Sequence, residues 1–145
     1  MKKRFSIFLV LLLLLVACNN AAQQQASVVE NVEGEKTLQL NNGERWVVNA
    51  AMKPFIEKSM QLVAAYQRNP TTGNYQALAA EIEAQNKLLV NSCTMKGAAH
   101  DALHLWLYPH LRLVRLLKSA TSQEEANTVV TQLQISFDTY KRFFQ

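Results

Sequence analysis

The sequence lacks the short motifs that carry most enzymatic chemistry. It contains no Gly-x-Ser-x-Gly nucleophile elbow, no His-Glu-x-x-His zinc motif and no glycine-rich phosphate-binding loop. It has no Cys-x-x-Cys-His segment either, which excludes covalently attached c-type haem. A cysteine beside a histidine can in principle act as a nucleophile, but nothing else in the sequence indicates a substrate cleft. We therefore expect a protein that is not an enzyme.

The sequence also carries little excess of charge of either sign. Three of its 15 basic residues are Lys2, Lys3 and Arg4, which leaves twelve basic against eleven acidic residues in the remainder. Nucleic-acid-binding domains cluster Lys and Arg on one face, and no such cluster is visible, so no nucleic-acid partner is expected. The length of 145 residues allows one domain, and there is no internal repeat.

Long apolar runs are confined to the N-terminus. Residues 5–16 are apolar with one exception, and twelve residues are too few to span a bilayer comfortably. This pattern is typical of a secretory signal. The residues that end it, Leu15-Val16-Ala17-Cys18, resemble the lipobox of bacterial lipoproteins. The resemblance implies cleavage before Cys18, a diacylglyceryl thioether on its sulfur and an acylated N-terminus; the alternative is an ordinary signal with a chance cysteine.

The lipobox predicts where the mature protein is located. In Gram-negative lipoproteins an aspartate after the lipid-bearing cysteine often signals retention in the inner membrane. Asn19 stands there instead, which favours the periplasmic face of the outer membrane, or the plasma-membrane surface in a Gram-positive cell. Two acyl chains anchor a protein stably without a transmembrane helix. The predicted organisation is a signal peptide at 1–17, a flexible tether at 18–36 and a folded domain at 37–145.

The domain is predicted to be all-α, an antiparallel four-helix bundle preceded by a short β-hairpin. Two β-prone runs, 37–40 and 44–48, flank Asn41-Asn42-Gly43, which is a typical hairpin turn. Apolar residues spaced three and four apart then predict four helices. The first helix runs from Ala50 or Pro54 to about 67, the second covers about 74–91 and the third about 97–119. The fourth begins at a capping box, Thr121-Ser122-Gln123-Glu124. The short connections favour the antiparallel arrangement.

The candidate functional residues lie between the second and third predicted helices. Cys93 and Met95 are two apart, so in an extended segment their side chains point the same way. His100 and His104 are four apart and share one helix face, about 6 Å apart along the axis. Gly97 lies between the pairs and permits the positive φ of a sharp turn. A thiol, a thioether and two imidazoles suit a soft metal, so these four side chains are predicted to bind one ion.

Two features of this segment favour a metal over simple packing. Helical spacing predicts that His100 and His104 belong to the buried stripe of their helix, where imidazoles need polar partners, and Asp101 can serve only one of them. Lipidation of Cys18 leaves Cys93 without an intrachain disulfide partner, although a free thiol is a liability in an oxidising compartment. A bound ion resolves both difficulties. The alternatives are a structural Cys/His cluster and intermolecular thiol chemistry.

The ligand types favour copper, particularly Cu(I), if the Met95 thioether is a ligand. Zinc is the runner-up, because it takes Cys and His but not Met, and Cys93, His100 and His104 would leave it one open position. Non-covalent haem is a weaker alternative, since its Met and His would have to face each other across the core. The expected partners are the membrane, through the lipid anchor, and a protein that donates or accepts the metal.

The segment from Cys93 to His104 reads Cys-x-Met-x-Gly-x-x-His-Asp-x-Leu-His. With the preceding hairpin and its Gly-x-x-Trp step, it resembles a group of small helical periplasmic lipoproteins of bacteria that have no established activity. The resemblance implies fold and localisation more than function. We expect a membrane-anchored protein that binds copper for sequestration, delivery or sensing. The alternative is a non-catalytic protein-interaction module of the cell envelope, which an exposed apolar patch would favour.

Overall fold

The computed structural model of the protein describes residues 37–68, 70 and 74–145. The predicted signal peptide, the lipidation site Cys18 and the tether at 18–36 lie outside the described residues. None of the described helices combines the length and the apolar character that a membrane crossing requires. The helices belong to one compact unit, Lys36–Gln145, with its own hydrophobic core. Such a unit is expected to fold on its own.

The described domain is built from four α-helices, as predicted. They are α1 (Lys53–Arg68), α2 (Tyr75–Asn91), α3 (Gly97–Ser119) and α4 (Gln123–Phe143), with a single 3₁₀ turn, Ala50–Met52, directly before α1. Each helix packs on the next one in the chain, and α1 also packs on α4. Helix α3 continues through Pro109. The predicted helix boundaries agree with the observed ones to within a few residues.

The buried face of α4 is the one that the apolar spacing predicted. The three-four spacing of apolar residues predicts seven core positions for this helix, and all seven are buried: Ala126, Val129, Val130, Leu133, Phe137, Tyr140 and Phe144. The helix begins one residue later than the predicted capping box. Ser122 is the N-cap and accepts a hydrogen bond from the Glu125 amide at 3.1 Å, while the Glu125 carboxylate accepts one from the Thr121 amide at 2.9 Å. The cap therefore pairs residues 122 and 125 rather than 121 and 124.

The predicted β-hairpin is wrong. The turn itself forms, because Asn42 and Gly43 adopt positive φ values of 53° and 92°, and Asn41 and Glu44 exchange two backbone hydrogen bonds. The ladder ends there, so that no strand forms on either side of the turn within the described residues. The predicted hairpin segment is thus a tight turn on an irregular chain.

The residues after the turn pair with the end of α4 instead of with the first predicted strand. The Trp46 amide donates to the Phe143 carbonyl at 2.8 Å, the Gln145 amide donates to the Trp46 carbonyl at 2.9 Å, and the Val48 amide donates to the Gln145 carbonyl at 2.9 Å. The Trp46 indole donates to the Gln39 carbonyl at 2.7 Å. These contacts hold the two ends of the domain together and satisfy backbone groups that the expected hairpin would have paired.

Candidate functional site

The two predicted histidine ligands lie side by side in the first two turns of α3. The ring centroids of His100 and His104 are 4.2 Å apart with the planes inclined by 50°, and the Tyr108 ring follows at 4.7 Å from that of His104. This arrangement results directly from their i, i+4 spacing on a helix. Both imidazoles are half-buried, so each is reachable from solvent. The pair is therefore able to present two nitrogen ligands to one ion.

The sequence predicted that His100 and His104 belong to the buried stripe of α3, and the structure shows that they do not lie in the core. The buried face of α3 contains Ala102, Leu103, Trp106, Leu107, His110, Val114 and Leu117. The predicted stripe ran through His100, His104, Leu107, Leu111, Val114 and Lys118. Leu107 and Val114 are buried as predicted, whereas His100, His104 and Leu111 are half-buried and Lys118 is exposed. The need for a metal to satisfy two buried imidazoles is thereby removed, because both rings have access to water.

The two predicted sulfur ligands lie in the connection between α2 and α3. Cys93 is a free thiol, and both it and Met95 are half-buried and pack against the hydrophobic core. Gly97 has the positive φ that was expected, 65°. Asn49, the residue before the 3₁₀ turn, fixes the connection, since its side chain donates to the Ser92 carbonyl at 3.1 Å and accepts from the Thr94 amide at 3.4 Å.

The structure brings the histidines together but does not complete a metal site around them. Among the described residues, no group of three or more His, Cys, Asp or Glu side chains is arranged to hold a metal ion. Cys93, His100 and His104 therefore do not form a three-ligand group in this conformation. Their arrangement is a pair of imidazoles with two sulfur-bearing side chains in the adjoining connection.

His110 was not among the predicted site residues, yet it is the most deeply buried of the three histidines. It is fully buried, stacks on Trp106 at 4.9 Å and contacts the Phe137 ring at 4.8 Å. Its Nδ1 lies 3.2 Å from the Ser136 hydroxyl, while its Nε2 has no hydrogen-bond partner among the described residues. Burial lowers the pKa of His110 to about 4. At neutral pH this imidazole is uncharged, and it serves as part of the α3–α4 core.

A groove between α2 and α3, which the sequence did not indicate, is the other candidate site. Its volume is about 660 Å³, within the range of small-molecule sites. Val90 of α2 and Leu111 and Val114 of α3 supply apolar lining. Asn86 also lines it, is 4% exposed, and has a side-chain nitrogen without a hydrogen-bond partner among the described residues. A buried donor without a hydrogen-bond partner lowers the stability of the fold and is uncommon in native structures, and this favours the groove as a candidate site.

The rim of the groove is predominantly positive. Glu83 accepts a hydrogen bond from Lys118 at 2.6 Å and lies 3.4 Å from the Lys87 ammonium. The Lys118 hydrogen bond, together with the charges of both lysines, lowers the pKa of the Glu83 carboxyl. Arg115 is the third cation of the rim and forms no ion pair with another described residue. The rim thus contains one carboxylate, that of Glu83, and three basic side chains, so its net charge is positive.

Comparison with protein-family models, with curated proteins and with solved structures found no match for the chain.

Proposed function

We propose that this protein is a non-enzymatic lipoprotein, anchored by Cys18 at the periplasmic face of the outer membrane, that binds a soft metal ion at the start of α3. The observation that carries the proposal is the His100–His104 pair, two half-exposed imidazoles with ring centroids 4.2 Å apart. Imidazole nitrogen is a good ligand for copper and zinc. The lipid anchor and the location are supported by the lipobox-like residues 15–18.

Copper is the first candidate because two sulfur ligands lie within eleven residues of both histidines in the chain. The pair would make the first contacts with the ion, and Cys93 and Met95 would complete the site after a shift of the connection between α2 and α3. Gly97, already at positive φ, is the natural place for that shift. The shift would also have to break the Asn49 contacts to Ser92 and Thr94. Release of the ion to an acceptor protein would reverse these steps.

Zinc remains the runner-up, with Cys93 joining the two histidines while Met95 stays packed on the core. Haem is disfavoured, because Met95 and the histidines belong to one corner of the domain rather than to facing positions across its core. The order of helix packing, each on the next and α1 on α4, supports our inference that the helices form an antiparallel four-helix bundle.

The second candidate is a protein-interaction module of the cell envelope. Two observations favour it: Cys93 and Met95 pack against the core as ordinary apolar side chains would, and α2 and α3 display exposed apolar residues. Leu88, Val90 and Tyr108 are 46%, 48% and 61% exposed. Under this hypothesis the histidine pair would be a surface feature, and activity would require a partner that covers some of these exposed apolar residues.

The test of the metal proposal is the metal content of residues 36–145, purified anaerobically from cells supplemented with copper and zinc. The double variant His100→Ala/His104→Ala removes the pair, and His110→Gln is the matched control because it changes a histidine of the same helix outside the site. About one copper per chain, retained in the control and lost in the double variant, is the expected result. A Cys93→Ser variant with reduced copper content would identify the thiol as a further ligand.

Two other results are informative. Zinc in place of copper, with the same dependence on the histidines, would identify the runner-up. A parent protein without metal, or one whose metal content does not depend on the histidine pair, would contradict the proposal and favour the interaction module.

A further inference from the structure

The α2–α3 groove has the composition of a site for an amphiphile. Val90, Leu111 and Val114 give it apolar lining, while three cations and one carboxylate surround it. Pockets that bind small molecules are mostly apolar, with a few polar groups that fix the orientation of the ligand. We propose that this groove binds a single-chain anionic amphiphile, with its alkyl chain on the apolar lining and its carboxylate head group at Arg115.

The charge of the rim selects the sign of the head group. Glu83 is already engaged by Lys118 at 2.6 Å and by Lys87 at 3.4 Å. Arg115 makes no ion pair with any other described residue and lies one turn before Lys118 on α3. A guanidinium presents a fork of donors that matches a carboxylate. A cationic head group would instead meet a net positive rim.

Asn86 supplies the second, independent observation. It lines the groove, is 4% exposed, and its side-chain nitrogen has no partner among the described residues. The nitrogen itself has almost no accessible surface, so a ligand oxygen would reach it only by entering between the side chains of α2 and α3, where it would accept the hydrogen bond that the protein does not provide. A wholly apolar occupant would leave this donor unpaired, so Asn86 favours an occupant with at least one acceptor.

The size of the groove favours a small molecule over a partner helix. A volume of about 660 Å³ lies within the range of ligand pockets. A stable protein interface buries roughly 800 Å² on each partner, and only part of the α2–α3 surface lines the groove. The inference is independent of the proposed metal site, because the groove lining includes none of Cys93, Met95, His100 and His104.

The experiment is isothermal titration of residues 36–145 with dodecanoate, without added metal and below the concentration at which dodecanoate forms micelles. Dodecyltrimethylammonium, with the same chain and the opposite charge, is the matched probe. We expect saturable binding of one dodecanoate per chain and binding of the cationic probe weaker by about tenfold or more. Far-UV circular dichroism at saturation should show the helical content unchanged.

Two pairs of variants locate the binding. Arg115→Gln should weaken dodecanoate binding about tenfold, while Arg112→Gln, an exposed arginine of α3 outside the groove lining, should leave it unchanged. Val90→Glu should abolish it, while Ile135→Glu, at a 61% exposed position of α4, should not. All four positions are exposed, so each variant is expected to fold.

Four results would overturn the inference. They are no saturable binding, equal binding of both probes, equal effects within each pair of variants, and unfolding by dodecanoate before saturation. Binding of an acidic amphipathic peptide helix together with failure of dodecanoate would assign the groove to a protein partner instead.

Discussion

Helix α3 places its histidines in two opposite environments. His110 is fully buried between Trp106 and Phe137, and its pKa is lowered to about 4. His100 and His104, ten and six residues earlier, stand half-exposed with their rings 4.2 Å apart. The same residue type therefore serves packing at one position and is available for chemistry at the others. The difference results from which side of the helix each residue occupies, since residues six apart differ by about 240° around the axis.

The largest expected contrast is in stability between neighbouring aromatic residues of α3. Trp106 is buried, donates a hydrogen bond to the Ser136 carbonyl at 2.8 Å and contacts the Tyr140 ring at 4.9 Å. Trp106→Ala should lower the free energy of unfolding by about 3–5 kcal/mol. Tyr108→Ala, at a 61% exposed position, should change it by less than about 0.5 kcal/mol. Urea unfolding of both variants measures the difference, and similar losses would contradict the burial pattern.

His110 should make the stability of the domain depend on pH. Its pKa falls from the ordinary value of 6.5 to about 4 on folding, so between these values the unfolded chain binds the proton more readily than the folded one. The pH-dependent contribution of His110 to the free energy of unfolding is fully present above about pH 6.5. It is lost as the pH falls toward 4, and the total loss is about 3 kcal/mol.

His110→Gln is the matched variant, because glutamine does not titrate. The difference in unfolding free energy between the parent and this variant should shrink by about 3 kcal/mol from pH 7 to pH 4. Chemical denaturation at several pH values gives this quantity. A difference that stays constant over the range would mean that His110 is not held neutral by burial.

The smallest expected effect concerns the histidine pair without metal. His100→Ala and His104→Ala should each change the unfolding free energy by less than about 0.5 kcal/mol, because both side chains are half-exposed. Thermal unfolding in the presence of a chelator tests this. A loss of roughly 2 kcal/mol or more in the free energy of unfolding is what truncation of a core residue costs. Such a loss would mean that the histidines belong to the buried stripe, as sequence spacing predicted.

The contrast between α4 and α3 explains how much of the fold was predictable. Along α4, apolar and polar residues alternate with one clear period, so that all seven predicted core positions are buried. Along α3, leucines occupy several faces at once: Leu103, Leu107 and Leu117 are buried, whereas Leu116 is exposed. Periodicity then fits more than one stripe, and only packing against α2 and α4 selects among them.

The errors at the ends of the domain have another cause. The turn at Asn42 and Gly43 depends on local backbone preference and was predicted correctly. The pairing of Trp46 with Phe143 and Gln145 joins residues about 100 positions apart, and no local pattern indicates it. The same limit applies to the site: the spacing of His100 and His104 predicted their contact, whereas the position of Cys93 depends on how Asn49 holds the connection.

The most direct test of the central claim follows the histidine ring nitrogens by two-dimensional ¹H–¹⁵N spectroscopy during anaerobic titration of residues 36–145 with Cu(I). Changes confined to the rings of His100 and His104, saturating near one ion per chain while the His110 ring is unaffected, are the expected result. Changes at the buried His110, or no change at either histidine of the pair, would contradict the assignment of two distinct roles along α3.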